Sequence, residues 1–381
     1  MNSEFVRQMP GQGAPAVAAG GLGRRLHLDP PLLTALLLLC LGGLFVLYSA
    51  SGENMQMMVR QLVRLGGGFM ALVILAQIPP RTYRFWTPVI YAGGIGLLLL
   101  VMLVGLEAKG ARRWLAVPGL GAFQPAEVMK LAVPAMVAWY FAERSPPPRL
   151  RDVILALGII LLPVILIARQ PDLGTALLVA SAGLIVLFLA GLSWKLITGT
   201  VVLASVIAPL MYFFVLHDYQ RNRVDTFLNP EADPLGAGWN IIQSKTAIGS
   251  GGLTGKGWLH GTQSRLEFLP ESSTDFILAV LGEELGLMGI LALLCLYLFI
   301  VGRGLTISWR APETYSRLLG ASIMLTFFIY VFVNMGMVSG LLPVVGIPLP
   351  LVSYGGTSIV TLLAGFGILM SIQTHRQLIS R

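Results

Sequence analysis

Long apolar runs separated by short polar breaks recur along this chain from residue 31 to residue 373. Ten of them, 31–50, 57–78, 86–105, 127–143, 152–168, 173–191, 195–216, 275–302, 315–337 and 350–373, are near the length a membrane crossing requires. A hydrocarbon core about 30 Å thick takes roughly 20 apolar residues of helix. Helices serve there because lipid offers an open backbone no hydrogen bonds. The pattern predicts an all-α integral membrane protein of about ten transmembrane helices. A large extracytoplasmic loop, 217–274, separates the seventh and eighth. Residues 1–29, rich in Gly, Ala and Pro, read as a disordered cytoplasmic tail. Residues 30–376 form the polytopic domain and 377–381 a short cytoplasmic tail. The run 31–49 is too long for the apolar part of a typical signal peptide, and more runs follow, so it reads as a retained first helix.

Composition supports this. Hydrophobic residues make up 55% and charged residues 12%, about half the charged share of a soluble domain. The net charge of +8 would invite a nucleic-acid reading in a soluble protein. Here it follows from the excess of Lys and Arg in cytoplasmic loops, and no nucleic-acid partner is expected. An even number of spans puts both termini on one side, and the basic residues assign that side to the cytoplasm. Cys40 and Cys295 both lie within apolar runs and read as small buried hydrophobes, with no disulfide framework or CxxC site.

The cations that break the bias are the informative ones. Lys109, Arg112 and Arg113 fall in the outside loop 106–126, and Arg221, Arg223, Lys245, Lys256 and Arg265 in 217–274. Arg60 and Arg64, four apart, share a face near the outer end of the second span. Any one of them could be simply solvated, since long loops translocate regardless of charge. Together they suggest an anion-binding surface.

Acidic residues near span ends add candidate chemistry. In "FQPAEVMKLAVP", Glu127 and Lys130 are three apart at a helix start, close enough to pair. A neutralised structural ion pair and a functional intramembrane pair both fit. In "RQPDLGTALL", Asp172 fits a helix N-cap. "SKTAIGSGGLTGKGW" fails the phosphate-loop spacing, because Ser250 stands where Gly is needed and Gly257 follows Lys256. It remains a flexible glycine loop whose N–H groups could approach an anion. "FLPESSTDFILAVLGEELG" puts Asp275 at a helix start with Ser272, Ser273 and Thr274 as alternative caps. Glu283 and Glu284 lie deeper and read as contacts to neighbouring helices. His27, His217, His260 and His375 are scattered.

The stretches "QSKTAIGSGGLTGKGW", "FLPESSTDFILAVLGEELG" and "GLLPVVGIPLPLVSYGGTS" resemble, in order and spacing, the SEDS family of cell-wall glycosyltransferases, and its elongation branch rather than its division branch. The resemblance runs from about residue 30 to the C-terminus. It implies polymerisation of lipid II into a nascent glycan strand at the periplasmic face of a bacterial inner membrane. It also implies a class B penicillin-binding protein as partner and a divalent cation, Mg or Mn, with ligands unassigned. By motif position it makes Asp275 the essential acid and places Arg60, Arg113, Glu127, Lys130, Asp172 and Lys245 around the substrate. Many relatives carry His where this chain has Ser273, so a proton-transfer role for that His does not carry over.

On this reading Asp275 takes the proton of the acceptor sugar hydroxyl, or instead helps hold the metal; both roles stay open. Undecaprenyl pyrophosphate leaves. Two other classes fit parts of the sequence. A lipid flippase would use Glu127, Lys130, Glu283 and Glu284 as a polar path, but no internal repeat is apparent. A non-catalytic scaffold leaves the outside cations unexplained.

Overall fold

The computed structural model describes residues 27–108, 111–117, 121–214, 221, 225, 238–265, 268–269 and 271–375. The N-terminal tail up to residue 26, Lys109, Arg223 and residues 376–381 lie outside the described residues. A helix stands at each of the ten apolar runs: α1 Pro30–Ala50, α2 Met55–Gln77, α3 Pro80–Val104, α4 Pro125–Phe141, α5 Leu150–Ala168, α6 Leu173–Leu189, α7 Trp194–Phe214, α10 Ile277–Trp309, α11 Thr314–Val338 and α12 Thr357–His375. Two further helices, α8 Trp239–Gly251 and α9 Thr262–Arg265, occupy the stretch expected to be a loop. Among the described residues seven helices are, by length and composition, able to cross a membrane: α1, α2, α3, α5, α10, α11 and α12. The chain is a multi-pass membrane protein.

Local chemistry sets the helix starts. Asp29 accepts the Leu32 N–H at 3.0 Å and Asn54 the Met57 N–H at 3.1 Å, each satisfying one orphan donor of a first turn. Pro opens α1, α3 and α4, where its missing N–H has no intrahelical partner to lose. Much of the surface is apolar. Phe85, Leu103 and Phe214 are exposed, as a lipid-facing side requires. Trp86, Trp194 and Trp309 are exposed near helix ends, as interfacial anchors are.

Two findings correct the all-helical expectation. The stretch 106–123 forms an antiparallel three-stranded sheet, β1 Leu106–Ala108, β2 Ala111–Val117 and β3 Gly121–Phe123. Leu106 pairs with Trp114 and Leu115 with Phe123. Its strands are too short for apolar runs to reveal. The eighth run is also not one straight helix. It starts at Ile277 and is interrupted at Gly286 (φ 64°, ψ −162°), a conformation open essentially to Gly alone.

The glycine loop caps that interruption. The Lys256 and Gly257 N–H groups donate to the carbonyls of Glu283 and Glu284 at 3.0 Å each, and those of Leu287 and Met288 to Gly252 and Leu253 at 3.0 and 3.1 Å. A Cβ on Gly286 would meet Leu253 O at 2.6 Å, and one on Gly255 would meet Leu285 N at 2.6 Å. The loop therefore does not hold its Lys256 and Gly257 N–H groups out for an anion. It restores the hydrogen bonds that a broken helix loses.

Candidate functional site

Three helix starts and one strand build a cavity of about 200 Å³, lined by Arg113, Trp114, Gln124, Glu127, Lys130, Asp172, Thr175, Tyr330, Gly346 and the turn Gly356-Thr357-Ser358, among others. Asp172 caps α6, accepting the Thr175 N–H at 3.2 Å, and its other oxygen accepts from Gln124 Nε2 at 2.8 Å. The cap reading of Asp172 therefore holds, and the cap faces the cavity. Arg113, on β2, donates from Nε to the Gln170 carbonyl at 3.1 Å and from Nη2 to the Pro171 carbonyl. The unpredicted sheet thus carries a predicted residue into the site.

Glu127 and Lys130 pair as their spacing requires, Nζ to Oε1 at 2.5 Å, with both side chains buried. Lys130 also stands over the Tyr330 ring, 5.2 Å from its centroid. Burial of such a pair is costly unless every polar atom is partnered, and here not all are. Glu127 Oε2 and Thr326 Oγ1 are buried without a partner, while the Tyr330 hydroxyl is hydrogen-bonded by Lys130. Glu127, Thr326 and Tyr330 also line a smaller cavity of about 30 Å³.

Asp275 stands at the rim. A Cβ on Gly346 would lie 3.5 Å from its Oδ2, and Gly346 lines the cavity. The turn bearing Asp275 is held by three consecutive carbonyls. Ser273 O accepts from the Tyr354 N–H at 2.8 Å, Thr274 O from Ser353 Oγ, and Asp275 O from Asn334 Nδ2 at 2.8 Å. The same Asn334 amide donates to Ile347 O at 2.8 Å, next to Gly346. Gln61 and Arg64 on α2 hold the far side of this loop, at Ser353 O (3.1 Å) and Gly355 O (3.0 Å).

Of the residues expected around the substrate, Arg113, Glu127, Lys130 and Asp172 line the cavity, and Asp275 borders it. Arg60 and Lys245 are not among its lining residues. Arg60 is exposed on α2. Lys245, on α8, reaches Gly340, where a Cβ would lie 2.8 Å from Nζ, just past the C-terminus of α11. Tyr330, Asn334 and Ser353 were not singled out from the sequence. A polar Asn within an apolar run was the available signal for Asn334.

A second carboxylate cluster lies at the break in α10. Glu283 pairs with Lys256 at 2.6 Å and accepts from Thr262 N and Oγ1, both at 2.8 Å, and from Gln263 N at 3.1 Å. Glu284 accepts from Ser49 Oγ on α1. Both carboxylates are fully buried and act as contacts between segments, as expected. Among the described residues no three His, Cys, Asp or Glu side chains gather as metal ligands. The described side chains alone do not make a site for the divalent cation that the resemblance implies. Magnesium commonly takes one or two carboxylates and completes its shell with water and substrate phosphate.

A polytopic helical bundle with a polar cavity at converging helix starts defines the class as a multi-pass membrane protein with an internal polar site. The comparisons narrow this. Residues 30–378 match the FtsW/RodA/SpoVE family, described as cell cycle proteins, and the chain belongs to that family. It is 56% identical over 357 residues to the peptidoglycan glycosyltransferase MrdB of Escherichia coli K12, covering 94% of this chain and 96% of that one. It is 35% identical to the stage V sporulation protein E of Bacillus subtilis, covering 89% and 95%. Among solved structures it resembles a chain from a peptidoglycan synthase complex that coordinates polymerization and crosslinking, at TM-score 0.81 and 31% identity, covering 93% and 99%. It also resembles the rod shape-determining protein RodA of Thermus thermophilus, at TM-score 0.69 and 30% identity, covering 91% and 97%.

Proposed function

We propose that this chain is a peptidoglycan glycosyltransferase that polymerises lipid II into glycan strands during cell-wall elongation, with Asp275 as general base. The observation that carries the site assignment is the placement of Asp275 at the rim of the cavity that Arg113, Glu127, Lys130 and Asp172 line. The family membership and the relatives' activity support the reaction.

In the reaction, Asp275 accepts the proton of the acceptor hydroxyl, the 4-OH of the lipid II GlcNAc. The freed oxygen electron pair forms a bond to the anomeric carbon of the growing strand. The bond from that carbon to the diphosphate oxygen breaks, and undecaprenyl pyrophosphate leaves with the electron pair. Direct displacement inverts the anomeric centre. A positioned base contributes roughly 10²–10⁴-fold. The clamp on carbonyls 273–275 serves that positioning, because it fixes the backbone from which the carboxylate extends.

In this reading the cavity opens toward the periplasm of a bacterial inner membrane and both termini are cytoplasmic. The partner is a class B penicillin-binding protein, which crosslinks the product. A divalent cation, held in part by a carboxylate such as Asp275 at the cavity rim, would offset negative charge on the departing diphosphate.

The test is polymerisation of purified lipid II by Asp275→Asn. A folded variant with strand synthesis reduced by about 10²-fold or more is expected; near-normal rates overturn the role of Asp275. In proteoliposomes, glycan strands are expected, and transfer of labelled lipid II across the bilayer without strands would favour a flippase.

A further inference from the structure

We infer that Gln61, buried on α2, is a positioning residue for Asp275: its amide fixes the loop 353–355, and that loop fixes the turn from which the base extends. This deepens the function proposed above and rests on it.

Gln61 is 1% exposed, on a helix where the neighbouring Val59, Leu62 and Val63 are apolar and exposed. A buried primary amide costs free energy unless it is hydrogen-bonded, and a Leu would fill the same place without that demand. Both polar ends of Gln61 go to one short segment. Nε2 donates to the Ser353 carbonyl at 3.1 Å, and Oε1 accepts the Gly355 N–H at 3.4 Å. Arg64, three residues on, strengthens the same grip. It donates to the Gly355 carbonyl at 3.0 Å and stands over the Tyr354 ring, 4.5 Å from its centroid. Residues 353, 354 and 355 are therefore each held from α2.

The opposite edge of these residues holds the turn of Asp275. Ser353 Oγ donates to the Thr274 carbonyl, and the Tyr354 N–H donates to the Ser273 carbonyl at 2.8 Å. Ser353 has little slack to absorb a shift. It is buried, its Oγ also accepts the Leu349 N–H at 2.9 Å, and its own N–H donates to the Leu349 carbonyl at 3.0 Å. A displacement of 353–355 is thus passed to 273–274, the two residues before Asp275. Asn334 on α11 holds the Asp275 carbonyl. The base is set from two helices, by α11 directly and by α2 through the loop.

A side chain that merely fastens α2 to the bundle would change stability and leave the rate of each folded molecule alone. A positioning residue changes kcat, because the base is displaced while the substrate contacts stay. Gln61→Leu should lower kcat for lipid II polymerisation by the full chain by about tenfold, with KM within about twofold of wild type, counted per folded molecule. Leu65→Ala is the control. Leu65 is buried on the same face of α2, one turn from Gln61, and its truncation should lower the melting temperature while kcat stays within about twofold.

Gln61→Glu gives a second readout, which serves even if Gln61→Leu does not fold. Burial keeps such a carboxyl neutral to higher pH than usual. Neutral, its O–H donates to the Ser353 carbonyl as the amide does. Ionised, it loses that donor and sets negative charge against a carbonyl oxygen. The ratio of its kcat to that of wild type should be near one at about pH 6 and fall as pH rises toward about 9. Wild-type kcat in folded Gln61→Leu, a Gln61→Glu ratio that does not move with pH, or an equal kcat loss in Leu65→Ala overturns the positioning role alone and leaves Asp275 as base. Wild-type protein that polymerises no lipid II overturns both that role and the glycosyl-transfer reading.

Discussion

Two lysine–glutamate pairs in this protein, each with a buried carboxylate, differ in what surrounds them. Glu283 and Lys256 bridge the broken α10 and the glycine loop, and the Glu283 carboxylate also takes bonds from Thr262 and Gln263. Glu127 and Lys130 are both buried, whereas Lys256 is part-exposed, yet it is the Glu127 pair that borders a cavity and leaves an oxygen, Oε2, bare. The first pair is closed and adds a side-chain bond between two segments that backbone hydrogen bonds already join. The second is open and retains hydrogen-bonding capacity for something not part of the fold. An intramembrane carboxylate is thus better judged by its unused lone pairs than by its burial.

Substitutions can break or sharpen this contrast. The largest effect is expected at the closed pair. Glu283→Ala removes the carboxylate from Lys256 and leaves the Thr262 and Gln263 N–H donors without a partner, and should cost about 3–5 kcal/mol, read as a steep fall in thermal stability in detergent. A melting curve like wild type would show that the break does not depend on this carboxylate. At the open pair, Glu127→Gln should melt within a few degrees of wild type, because the cavity lets water reach Lys130, while lipid II polymerisation drops by about 10²-fold. A stability loss as large as that of Glu283→Ala would erase the distinction. Asn334→Leu tests the positioning of Asp275. It should lower kcat by about tenfold with KM nearly unchanged, since the carboxylate is displaced rather than removed; a change confined to KM would contradict this. The smallest effect is expected for Ser49→Ala, which removes one bond to Glu284 and should cost about 1 kcal/mol with no change in specific activity. A loss of activity there would tie the closed cluster to catalysis.

The parts that were readable from sequence rest on local spacing. Ten apolar runs gave ten helices because hydropathy is a property of each run alone. The Glu127–Lys130 pair and the Asp172 cap followed from offsets of three residues. Asp275 was reached through resemblance to a family, not through periodicity. What stayed hidden depends on distant segments meeting. Arg113 enters the cavity while Lys245 does not, and only the sheet at 106–123 and the fold of α8 decide that. The glycine loop looked like an anion binder because its acceptors, the carbonyls of Glu283 and Glu284, lie nearly thirty residues further along. Asn334 was not singled out because the two carbonyls its amide holds, those of residues 275 and 347, are brought to it only by the fold.

The interruption at Gly286 has a mechanical consequence. Leu287–Trp309 alone measures roughly 35 Å at 1.5 Å per residue, near the thickness of a hydrocarbon core with part of its interface. The short piece ahead of it, which begins beside Asp275, is tied to α1 and the glycine loop instead. The long piece is itself held at both ends, by Leu287 and Met288 on the loop and by Arg303 paired with Asp29, so the break redirects the helix without releasing either half.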